Sequence, residues 1–86
     1  MLVELTLYKA NTVAGQASSP LEETGPGFSE RLGQALISLC RELNVPLPLW
    51  LNKNTKEFAH FHQTLFFPEQ FDEVVMFDRM RLKILE

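Results

Sequence analysis

Apolar and polar residues alternate at the two ends of the chain and recur with helical spacing in its middle. Leu2 to Lys9, LVELTLYK, sets Val3, Leu5 and Leu7 against Glu4, Thr6 and Tyr8. That period of two predicts a strand with one aliphatic and one half-polar face, a pattern suited to an antiparallel or edge position. Glu73 to Glu86 reads as a second strand, with Met80, Leu82 and Ile84 alternating with Arg79, Arg81 and Lys83. The run is longer than most strands, and Asp78 marks a bulge or break within it. Glu4 on one strand and Arg81 and Lys83 on the other predict that the two pair, each cross-strand charge pair adding about 0.2–1 kcal/mol.

Two helices are expected between them. From Phe28 to Leu43, the residues Phe28, Leu32, Ala35, Leu36, Leu39 and Leu43 form one stripe with Cys40 at its edge. Ile37 lies well off that stripe. Asn44 and the following Val-Pro end the helix. The second helix is expected over Asn54 to Phe67. Asn54 followed by Glu57 makes an Asn version of the capping box, and Phe58, Phe61, His62, Leu65 and Phe66 then share a face. That reading puts His62 on the apolar side, partly buried, and His60 and Phe67 toward water.

The connections are less regular. Residues 10–27 read as a long loop, of the kind that is either functional or mobile. Ser19-Pro20-Leu21-Glu22 has the form of a short helical turn inside it, and Thr12-Val13-Ala14 is a weak alternative strand that would form a hairpin with the first. Pro46 and Pro48 in VPLPLWL exclude a central strand, leaving an extended or edge crossing, with a helix starting at Pro48 as the alternative, and Trp50 is expected to be largely buried with a partner for its N–H. Pro68 to Phe71 suits a single helical turn. The expected architecture is α+β: residues 1–86 as one domain, a small β-sheet containing the N- and C-terminal strands, and two main helices packed on one face.

Composition narrows the function classes. Eighty-six residues suit one domain, with a modest share of buried surface to which seven phenylalanines contribute heavily. A formal charge of −3 argues against a sequence-independent grip on nucleic acid. A lone cysteine forms no intrachain disulfide. The absence of a signal-like start or an apolar run of about 18 residues leads to the expectation of a cytoplasmic protein with no membrane contact.

Candidate chemistry is sparse. Walker loops, dinucleotide fingerprints, nucleophile elbows and zinc-type cysteine pairs are lacking, and no motif is specific enough to carry a resemblance to a known family. Gly25-Pro26-Gly27 precedes a helix, but the proline removes an N–H that an anion site would use. Cys40 fits a half-buried hydrophobe better than a nucleophile served by His60 or His62. His60 and His62 would share a face on a strand, but on a helix they stand about 160° apart. With Asp72 and Glu73 they form the alternative reading, a small-ligand or metal-binding domain. No cofactor is otherwise implied. Arg79, Arg81 and Lys83 make the best basic patch. With Ile37, Phe67 and an unpaired edge strand, they support the leading expectation: a non-enzymatic protein-interaction or regulatory module that binds a protein partner or self-associates as a homodimer.

Overall fold

The computed structural model describes residues Met1–Glu86. The chain runs β1 (Leu2–Lys9), β2 (Thr12–Pro20), α1 (Phe28–Glu42), α2 (Asn52–Phe61), β3 (Gln63–Phe66), a 3-10 turn (Pro68–Gln70) and β4 (Arg79–Leu85). Its four strands form an antiparallel sheet in the order β2-β1-β4-β3. The terminal strands therefore pair at the centre. Glu4 stands opposite Lys83 and Thr6 opposite Arg81, and Arg81 Nη2 lies 3.3 Å from Glu4 Oε1. Val3, Leu5, Leu7, Met80, Leu82 and Ile84 turn their aliphatic face to the helices, where Leu32, Leu36, Leu39, Cys40 and Phe58 complete the core. Both helices pack on that one face, so the fold is α+β.

The segment 10–27 departs from the expected loop. Most of it is β2, which pairs with β1 along its whole length. The turn between them is two residues, Ala10 and Asn11, both at positive φ (50° and 65°), a combination whose twist suits a tight hairpin. Asp78 pins this turn: its carboxylate accepts from the Ala10 N–H at 2.6 Å, and its own N–H donates to the Tyr8 carbonyl at 2.7 Å. Thus Asp78 ends the region before β4, and residues 73–78 are not strand. Hydrophobic alternation could not reveal β2, because its inward positions are Gly15, Ala17 and Ser19. Small residues suit this site, since Leu43 beyond the end of α1 lies 3.6 Å from where a Gly15 Cβ would be. Pro20 closes the strand rather than opening a helical turn.

α1 matches its stripe and stops in a Schellman motif. Asn44 takes the left-handed conformation (φ 56°), its N–H donates to the Arg41 carbonyl, and the Val45 N–H donates to that of Cys40.

α2 is shorter than expected and starts earlier. Leu51 is its N-cap, and Asn54 is the third residue of the first turn. Asn54 reaches back, its Oδ1 accepting from the Leu51 N–H at 2.9 Å. Gln70 repeats the device at the 3-10 turn, accepting from the Phe67 N–H at 3.1 Å. The two amides are joined, Gln70 Nε2 donating to Asn54 Oδ1 at 3.0 Å and also to the Leu49 carbonyl. Asn54 Nδ2 donates to Thr64 Oγ1 (2.8 Å) and to the Leu65 carbonyl (3.0 Å). Thr64 in turn donates to Glu57 at 2.6 Å. Asn54 is 0% exposed and uses both donors and both acceptor positions of its amide.

This network draws residues 63–66 out of the helix and into β3, where Leu65 and Phe66 pair with β4. A short apolar run is ambiguous between the two periods, and the cross-strand partners decide it. His62 becomes the left-handed residue ending α2 (φ 55°), so its side chain leaves the apolar face and is exposed. Phe61 is also exposed.

Candidate functional site

α1 and α2 lie on the same sheet face without closing on each other, and an apolar cleft opens between them. One wall is Phe28, Leu32, Leu36 and Ile37 of α1, with Ser29 and Gly33 between. The other is Thr55, Phe58 and Ala59 of α2, and Leu47, Pro48 and Trp50 of the crossing segment close one end. The cleft has a volume of about 490 Å³, within the range of small-molecule and side-chain pockets. Trp50 is 39% exposed rather than buried. Its ring packs on Phe58 and Phe66, with centroids 6.1 and 5.6 Å away, and its N–H donates to Thr55 Oγ1 at 2.8 Å. That bond occupies one of the two polar side chains in the lining. No ionisable side chain lines the cleft, so its chemistry is the removal of apolar surface from water.

The apolar surface continues past the rim. Leu47 is 51% exposed, and Leu49 and Leu51 of the same segment are exposed as well. Two prolines explain this. Pro46 and Pro48 hold the segment extended, and its free backbone polarity is taken up by Gln70, whose carbonyl accepts from the Leu49 N–H at 2.7 Å. Beyond Phe28 and Phe58, a second hollow of about 290 Å³ shares those residues and Ala59 with the cleft, and reaches Met1, His62, Ile84 and Glu86.

The five residues named for partner binding do not form one surface. Ile37 lines the cleft. Arg79, Arg81 and Lys83 lie on the opposite sheet face, where Arg79 stacks over Tyr8 at 4.4 Å and Arg81 at 5.6 Å. Together with Gln16, which donates to Thr6, they cover that face with long polar side chains. Phe67 is half-buried beneath Lys53, whose Nζ lies 4.6 Å from the ring centre.

No three His, Cys, Asp or Glu side chains are grouped to hold a metal ion. His60 is exposed on α2, and His62 faces Glu86 at 3.8 Å. Asp72 and Glu73 are exposed after the 3-10 turn. Cys40 is 3% exposed inside the core, and burial pushes its thiol up to about 11, which disfavours the reactive thiolate.

Sequence reasoning missed the cleft itself. Ile37 was its one visible signal, as an aliphatic off the buried stripe. In the crossing segment, the size and apolar character of Trp50 led to the expectation of burial, which its place on the cleft wall overturns.

No family model, no curated protein and no solved structure matches the chain. No helix is long and apolar enough to cross a membrane.

Proposed function

We propose that this domain is a non-enzymatic protein-interaction module whose α1–α2 cleft receives apolar side chains of a protein partner. The observation that carries the reading is the open apolar cleft. A concave apolar cleft open to solvent is the usual form of a binding face, and its aromatic content suits an interface centre. Beside Leu47 of the lining, Leu49 and Leu51 of the same segment are exposed outside the hollow, which favours a partner broader than a small ligand.

Gly33 supports the same reading. A glycine inside a helix costs about 1 kcal/mol relative to alanine. Nothing lies within 4 Å of where a Gly33 Cβ would stand, so packing inside the domain does not require it. A glycine in the cleft wall keeps space for an incoming side chain.

Site-specific photo-crosslinking tests the proposal. A photoreactive residue at Leu47 should give a discrete protein adduct in cells. The same residue at Val74, which is exposed but outside the cleft, should not. Adding Ile37→Asp should abolish the Leu47 adduct. Equal labelling at both positions, or no protein adduct at Leu47, overturns the reading.

A further inference from the structure

We infer that two copies of this chain associate through the free edge of β2, paired antiparallel about a two-fold axis into an eight-stranded sheet. The two edges of the monomer's sheet are treated differently. β3 is four residues long, and Pro68 follows it closely. Its outer backbone is engaged by α2: the Leu65 N–H faces Glu57 Oε1 at 3.4 Å, and the Leu65 carbonyl accepts from Asn54 Nδ2.

β2 lacks these protections. It is nine residues long, carries no charge, and has its only proline at the last position. Its bulge lies at the hairpin end, so Gly15 to Pro20 pair regularly with β1. Beyond that pairing, only the neighbouring Ser19 hydroxyl donates to its backbone, at the Pro20 carbonyl. A long, uncharged edge with no proline inside it is a template for another strand.

A second copy is the occupant the strand fits. An uncharged strand offers no charge with which to select a foreign one. Two-fold pairing matches length, twist and side-chain size automatically. The chain's −3 formal charge opposes association, but none of it lies on this strand. A register centred on Ala17 sets Gln16 against Ser18 of the other copy and leaves only small residues opposed on the helical side. Antiparallel pairing keeps both helical layers on one face, so both clefts open to the same side and a partner with two binding segments gains avidity.

Sedimentation across a concentration range, with amide exchange on the unmodified protein, tests this. The expected result is a concentration-dependent dimer in which the outward-facing amides of residues 15–19 gain protection as it forms. The double variant Gln16→Lys/Ser18→Lys, which opposes like charges across the axis, should weaken the dimer about tenfold or more while the monomer still unfolds cooperatively. Ile37→Asp should leave it intact, separating this surface from the cleft. A monomer at all concentrations, outward amides that exchange freely in a dimer, or a dimer indifferent to the two lysines in a folded variant each overturn the inference.

Discussion

Two regions on either side of α2 invert the usual distribution of polar and apolar groups, in opposite senses. Toward β3, polar side chains are buried: Asn54, Thr64 and Gln70 sit in the interior. Toward α1, apolar side chains are open to water: Phe28, Leu47 and Trp50 border the cleft. The polar region is complete. Each amide position of Asn54 has a partner inside the chain, and the network joins the starts of α2 and the 3-10 turn to β3. A satisfied buried network specifies structure. The apolar region is incomplete, because nothing within the chain covers it. The first region serves folding, and the open apolar face of the second supports the binding role proposed for it.

The largest effect should come from breaking the polar side. Asn54→Ala takes a partner at once from Gln70, Thr64, the Leu51 N–H and the Leu65 carbonyl and should cost about 3–4 kcal/mol in chemical denaturation. That is a large part of the stability of so small a domain.

Next is the dry interior beneath α1. The folded state holds the Cys40 proton up to about pH 11 because burial disfavours the thiolate, while the unfolded thiol releases it near 9.0. Above pH 9 the unfolded state binds fewer protons, so stability falls with rising pH, by up to about 3 kcal/mol as pH 11 is reached. Denaturation of the protein and of Cys40→Ala from pH 8 to 11 should isolate this slope, absent from the variant.

The cleft should respond differently. Gly33→Ala should stabilise the fold by about 0.5–1 kcal/mol, and Gly33→Met should fold yet weaken partner binding by filling the wall. Smallest of all, Leu47→Asp should change stability by no more than about 0.5 kcal/mol while removing the crosslink-defined interaction. A large loss of stability there would place Leu47 among the core residues and dissolve the contrast.

Much of the fold was legible in the sequence. The α+β class, the pairing of the terminal strands, and α1 with its end at Asn44 follow from periodicity and local capping. Three features were not legible, each for a physical reason. β2 has small inward residues and no hydrophobic alternation, so only its start, Thr12-Val13-Ala14, showed, as the alternative hairpin strand. β3 is a four-residue run whose partners are distant in sequence. Asn54 serves as an N-terminal anchor from inside the first turn, not from the cap, and only tertiary contacts with Thr64 and Gln70 reveal this. Of the candidate residues, Ile37 pointed to the cleft, because its place off the stripe left either a lone exposed aliphatic or a second contact surface, and it lines the cleft wall. His62 misled, because its backbone turns left-handed and carries the side chain away from the helix face.

The most direct test of the binding assignment uses Trp50, the only tryptophan in the chain and a cleft residue. Its emission should be followed while the partner crosslinked at Leu47 is titrated into the intact protein. The account predicts a saturable shift to shorter wavelength as the half-exposed indole loses water, and no shift with Ile37→Asp. A partner that binds with Trp50 emission unmoved contradicts it.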